Sequence, residues 1–244
     1  LTGPAAEAVP LRAGDSVHVW LVRLDLPAAT LSDQERFLSG GERHRADRFR
    51  GPHLRRRFVA AHGQLRAVLA GYLGQDPAAI RFEERAQGKP FLPEDAGGVR
   101  FNLSHSGELA LVAVAWRREV GVDVEQVRLE VDVTGIAGRY FAPPERSALL
   151  ALPAPERVGA FYRLWACKEA YGKAVGDGVT AALEGLVVEL PPEDEAVRPR
   201  PVRGRADEGT GRSWTLAELD GLPGYRAAVA VEGSVSAVRC GRFS

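Results

Sequence analysis

The sequence predicts an α/β protein of the α+β kind, laid out as a pseudo-twofold pair of similar strand–helix–sheet halves. Three observations lead there. Short runs of alternating apolar residues are interleaved with long runs of helical period along the 244 residues. A hairpin signal follows the first long helical run, and paired strand-like runs close the chain. The order of elements also repeats at a nearly constant offset: strand to strand from 18 to 120 is 102, and helix to helix from 57 to 158 is 101. Such a repeat divides the chain into residues 1–118 and 119–244 and places a site at the interface between the halves. Two similar-looking halves without a true repeat are the plainer alternative.

In chain order, His18–Asp25 (HVWLVRLD) alternates Val19, Leu21 and Arg23 against Trp20, Val22 and Leu24, the pattern of a strand. Ser32 with Glu35 three residues on is a capping-box start for a first helix ending near Gly40-Gly41. Phe58–Leu73 is apolar at helical spacing, with Gly74 as its C-cap. Ile80–Glu84 and Val99–Leu103 read as short strands, and Leu109–Trp116 pairs with the latter across Ser106-Gly107. The second half restarts with Val120–Val127 as a strand, Arg157–Val175 as a helix and Leu186–Leu190 as a strand. After the polar, Pro- and Arg-rich stretch 191–212 come strands at Trp214–Leu219 and Tyr225–Val231. Arg48-Phe49 before the first long helix is echoed by Arg139-Tyr140-Phe141 before the second.

Composition narrows the classes. Lys+Arg and Asp+Glu balance at 32 each, so no overall field favours nucleic acid or a membrane surface. Two cysteines are too few for a disulfide framework and suit a reduced, cytoplasmic setting. No apolar run approaches the ~20 residues of a membrane span. The chain opens on Leu1, not methionine, so a trimmed or partial N-terminus is expected. Arginine heavily outnumbers lysine: Lys89, Lys168 and Lys173 are the only lysines, all within motifs discussed next, where a compact ammonium suits better than a planar fork.

Four constellations carry chemistry. In Gly121-Val122-Asp123-Val124-Glu125, strand alternation puts both carboxylates on one face, about 6.5–7 Å apart along the chain. They repel unless a cation or proton lies between them, and magnesium with a phosphate suits that demand; a half-exposed acidic strand is the structural alternative. Phe161–Val175 is apolar around much of its circumference, so Lys168, Glu169 and Lys173 need partners, and Trp165, Glu169 and Lys173 share a face. A third carboxylate from this helix, with an ammonium one turn on, would hold a metal and a pyrophosphate together; a routine Glu–Lys pair is the alternative. Gly88-Lys89-Pro90 and Phe101–Gly107 offer a hydroxyl, an imidazole and a glycine turn for phosphate and ribose. Ser104 and His105 are neighbours on a strand, face opposite ways, and so make no nucleophile pair. The arginine run from Arg43 and Arg45 to Arg57 is a solvated face or holds a further phosphate.

GKP (88–90), FNLSHSG (101–107), VGVDVE (120–125) and WACKEAYGK (165–173) resemble, in order, the motifs of Sfp-type 4′-phosphopantetheinyl transferases. The last is similar to the W-x-x-K-E-A-x-x-K signature of the branch that often serves nonribosomal peptide and polyketide synthases in secondary metabolism. The resemblance spans about residues 35–180 and implies the family's pseudo-dimer fold, hence a monomer. It implies transfer of the phosphopantetheine arm of coenzyme A to a serine of an apo acyl or peptidyl carrier protein, with release of 3′,5′-ADP, and no nucleic-acid or membrane partner. Asp123, Glu125 and Glu169 would bind Mg2+ against the diphosphate of coenzyme A, and Lys173 would neutralise it. Lys89, Ser104, His105 and Lys168 would bind the coenzyme, His105 near its 3′-phosphate. The family's lysine pair before the first long helix is not matched, and Arg43 and Arg45 are the candidates to substitute. Glu145, in RYFAPPE, matches an acid placed to take the serine proton, or else is a helix N-terminal acid after Pro143-Pro144. A metal-dependent phosphohydrolase using the same acids and a non-catalytic carrier-binding module are the rival classes.

Overall fold

A computed structural model describes residues 16–85, 88–176, 186–192, 195, 198–202 and 211–243. Its elements run β1 (Ser16–Arg23), α1 (Ala28–Phe37), α2 (Gly40–Asp47), α3 (Pro52–Leu73), β2 (Glu83–Glu84), β3 (Pro90–Phe91), β4 (Val99–Ser106) and β5 (Leu109–Trp116). They continue with β6 (Val120–Gln126), α4 (Val133–Tyr140), α5 (Pro143–Ala151), α6 (Ala154–Val175), β7 (Arg200–Val202), β8 (Trp214–Leu219), β9 (Tyr225–Glu232) and β10 (Ala237–Arg242).

Two four-stranded sheets, β10-β1-β5-β4 and β6-β9-β8-β7, stack in the middle, with α3 outside the first and α6 outside the second. Alternation along each strand builds the three cores. Val19, Leu111 and Ala113 of the first sheet meet Val122, Val124 and Val229 of the second between the sheets. Val22, Val112 and Phe101 turn outward to Phe58, Leu65 and Leu69 of α3. Leu216, Ala228 and Ala230 turn outward to Phe161, Leu164 and Tyr171 of α6. β1-β5-β4 and β6-β9-β8 share one antiparallel topology, each with its long helix between the first strand and the hairpin, so the repeat read from the sequence is a repeat of architecture.

The differences are local. The capping box sits at Ser39 and Glu42, where Ser39 caps the Glu42 N–H and the Glu42 carboxylate caps the Ser39 N–H; it starts α2 instead of the helix expected from Ser32. Gly40-Gly41 therefore opens a helix and does not close one. Of the expected strand Ile80–Glu84 only Glu83–Glu84 forms a ladder, with β3, and Leu186 makes only an isolated bridge where a strand to Leu190 was expected. Part of the polar stretch 191–212 lies outside the described residues. β10, which the sequence reading did not assign, returns from the second half to pair parallel with β1 of the first sheet, across the expected division at 118/119. Gly241 lies against Trp20, whose ring a Cβ there would meet at 2.6 Å. Among the described residues no helix is long and apolar enough to cross a membrane.

Candidate active site

β6 places its acids by simple alternation. Val120, Val122 and Val124 enter the core between the sheets, so Gly121, Asp123 and Glu125 face α6. Gly121 sets the distance: a Cβ there would lie 2.1 Å from the Ala170 carbonyl oxygen and 2.4 Å from the Ala174 nitrogen. Only glycine lets helix and strand pack this closely, and that contact brings Glu169 and Lys173 to the acids. Lys173 Nζ donates to Asp123 Oδ1 at 2.6 Å and to Ser104 Oγ at 2.9 Å, and Ser104 Oγ donates to Asp123 Oδ1 at 2.9 Å. Ser106 Oγ donates to Glu125 Oε2 at 3.0 Å. Asp123 Oδ2 is buried and has no hydrogen-bond partner.

The field among these groups is strong. Burial, then the charge of Asp123, pushes Glu169 up to about 7 against the pull of Lys173, with Glu125 adding to the rise. Burial and then Asp123 also raise Glu125, while the Ser106 hydroxyl, Lys173 and Arg128 oppose. Two carboxylates are thus raised beside a third in a half-dry site, an arrangement that asks for a cation or a proton. Among the described residues no three His, Cys, Asp or Glu side chains form a ready-made metal-ligand group. The donor set nonetheless fits a hard cation: all the nearby acceptors are carboxylate or hydroxyl oxygens, and one buried carboxylate oxygen is unpartnered.

On the other face of β4 lies a cleft of about 930 Å³, lined among others by Arg45, His62, Arg66, Gly88, Pro90 and His105. Ser104 and His105 go to opposite faces, so His105 reaches the cleft while Ser104 reaches the acids. Burial first, then the charges of His62 and Lys173, lowers the pKa of His105. Arg66 is 1% exposed; it pairs with Glu42 at 2.7 Å and donates to the carbonyls of Pro77 and Ile80 at 2.9 Å each, which fixes one wall of the cleft. Burial opposes ionisation of Glu42, but hydrogen bonds from His62 and Ser39 and the charge of Arg66 outweigh it and bring the carboxyl down to about 2. Glu42, His62 and Arg66 were missed by sequence reading. Arg66 carried a usable signal, an arginine on the apolar flank of a helix that has to be buried.

Several expected coenzyme contacts lie elsewhere. Arg45 lines the cleft, but the Arg43 guanidinium caps the Leu38 carbonyl. Lys89 Nζ donates to the Lys173 carbonyl at 2.6 Å, the Val120 carbonyl at 3.2 Å and Glu119 Oε2 at 3.4 Å, tying the end of α6 to the start of β6. Its burial lowers its pKa, with Glu119 opposing.

Glu145 and Lys168 meet each other and not the three acids. Lys168 is one residue from Glu169 and so points about 100° away around α6, toward the interior. Its Nζ donates to both Glu145 oxygens at 2.9 Å and to the Leu186 carbonyl. The Glu145 oxygens also accept from the Ala142 N–H at 2.7 Å and the Val188 N–H at 2.8 Å. Both side chains are fully buried, so neither faces the three acids or the cleft, and Glu145 has no oxygen left for a substrate proton.

The chain as a whole is similar to known proteins. A family model described as the 4′-phosphopantetheinyl transferase superfamily matches residues 119–230, and one described as 4′-phosphopantetheinyl transferase, N-terminal, matches residues 28–117. The 4′-phosphopantetheinyl transferase HetI of Nostoc sp. is 42% identical over 90% of this chain and 89% of its own. The phosphopantetheinyl transferase of a Thraustochytrium species is 32% identical over 84% of this chain and 75% of its own. The 4′-phosphopantetheinyl transferase Sfp of Bacillus subtilis is 30% identical over 71% of this chain and 77% of its own.

Proposed function

Because the chain belongs to the 4′-phosphopantetheinyl transferase superfamily, we propose that Asp123, Glu125, Glu169 and Lys173 are the centre at which it moves the phosphopantetheine arm of coenzyme A to a carrier-protein serine. The observation that carries this reading is the buried, unpartnered Asp123 Oδ2 amid two carboxylates raised by burial and by its charge. Asp123, Glu125 and Glu169 would hold Mg2+, which when bound supplies Lewis-acid neutralisation of the diphosphate.

The chain's own residues do the rest. Lys173, with a side chain 26% exposed beside buried Asp123, offers a compact ammonium to the diphosphate and to the charge growing on the leaving group. His105 and Arg45 hold the nucleotide end in the cleft, on the far face of β4 from the acids. The serine oxygen forms a bond to the β-phosphorus of coenzyme A as the bond to 3′,5′-ADP breaks, giving a phosphodiester on the carrier. With Glu145 spent on Lys168, we assign the serine proton to Glu169. The site lies where β4 of the first half meets β6 and α6 of the second, in a monomer acting on apo acyl or peptidyl carrier domains in the cytoplasm.

The test is mass spectrometry of an apo-carrier incubated with the protein, coenzyme A and Mg2+. A mass gain of one phosphopantetheine arm, abolished by EDTA and by Asp123→Ala, is the expected result. Rapid release of 3′,5′-ADP without carrier would instead mark a phosphohydrolase and overturn the reading.

A further inference from the structure

β6 is an edge strand of the second sheet, and pairing with β9 uses only every other backbone N–H along it. Of the remaining donors, those on Val122, Val124 and Gln126 point to the open edge, and side chains of β4 take up all three. The Val122 N–H donates to Asn102 Oδ1 at 2.9 Å, the Val124 N–H to Ser104 Oγ at 3.4 Å and the Gln126 N–H to Ser106 Oγ at 3.1 Å. The sequence separation is 20 in all three, so β4 runs alongside β6 in the same direction, and side chains replace the carbonyls of an ordinary ladder. The two serines also donate back, Ser104 to Asp123 and Ser106 to Glu125. Each hydroxyl therefore spans an amide and the carboxylate of the residue before it, and fixes both at once.

We propose that Asn102 and Ser106 are positioning residues for the reaction. With Ser104 they form a side-chain ladder that sets the register of β6 across the two halves, and Ser106 aims the Glu125 carboxylate. This rests on the reading of Asp123 and Glu125 given above. A one-residue slip of β6 would turn the acids into the core and the valines toward α6, so register decides whether a site exists. The motif FNLSHSG divides its labour accordingly: His105 serves the cleft, Ser104 and Ser106 serve the acid-bearing strand, and Asn102 both lines the cleft and caps the Val122 N–H.

The experiment compares Ser106→Ala with Ser106→Thr, which keeps the hydroxyl. Three readouts are taken on each variant: Mg2+ binding to the free protein by calorimetry, kcat and KM for coenzyme A, and amide exchange at Gln126. Ser106→Ala is expected to weaken Mg2+ binding and lower kcat by about 10–100-fold. KM for coenzyme A stays within about twofold, because the cleft lies on the other face. Gln126 exchange rises about tenfold, as one lost hydrogen bond requires. Ser106→Thr recovers most of each. Unchanged Mg2+ binding and unchanged Gln126 exchange in Ser106→Ala would overturn the inference. So would a general fall in unfolding temperature with kcat and KM worsening together and no recovery in Ser106→Thr. If Asp123→Ala also leaves Mg2+ binding and transfer intact, the fault lies in the assignment of the acids and not in the ladder.

Discussion

Lys168→Met tests whether Lys168 serves the coenzyme or the fold. In the wild type, Glu145 accepts from Lys168 at 2.9 Å on each oxygen, from Ala142 at 2.7 Å and from Val188 at 2.8 Å, with no solvent exposure on either side chain. Methionine keeps the volume but leaves a buried carboxylate with two backbone donors and no counter-charge. Breaking a buried pair from one side costs about 3–5 kcal/mol. For a chain of this size that corresponds to a drop of about 6–20 °C in unfolding temperature. Adding Glu145→Gln removes the orphan charge while keeping an acceptor for a backbone N–H, so the double variant should regain at least half of the loss. Calorimetric unfolding of the two single variants and the double variant measures this, with KM for coenzyme A determined on each folded variant. A loss below about 1 kcal/mol in Lys168→Met, together with a tenfold rise in KM, would refute the argument and return Lys168 to the coenzyme site.

Glu169 predicts a pH effect on the metal-free protein. Its folded pKa of about 7 lies above the ordinary glutamate value of 4.5, so the folded state binds the proton more tightly and this group destabilises the fold as pH rises from 4.5 to 7, by at most about 3 kcal/mol. Glu169→Gln should flatten that slope in denaturant titrations run across this window. Gly121→Ala should cost about 1–3 kcal/mol or more in thermal unfolding and abolish transfer, because its Cβ would strike the backbone of α6 at Ala170 and Ala174. Arg66→Leu should destabilise by about 1–3 kcal/mol, leaving Glu42 with only His62 and Ser39 as partners, and should raise KM for coenzyme A in initial-rate assays as the wall at Pro77 and Ile80 loosens.

Local periodicity determined much of this protein. Alternation in VGVDVE was enough to put Asp123 and Glu125 on one face, and alternation in FNLSHSG to separate Ser104 from His105. The repeat at offsets of 101 and 102 likewise foretold two halves of one topology. These signals are legible because strand and helix periods are set by backbone geometry within a few residues. What only the tertiary structure decided depends on which distant groups meet. A buried ammonium takes the best partner within reach: Lys168 takes Glu145, and Lys89 takes the carbonyls that end α6 and begin β6. Nothing in a motif string shows that an exposed-looking acid will be enclosed, or that a strand from the end of the chain will return to pair with the first. The close contact at Gly121 is a product of packing within the second half and the ladder from Asn102 to Ser106 of packing between halves, and together they turn two acids on one strand face into a site.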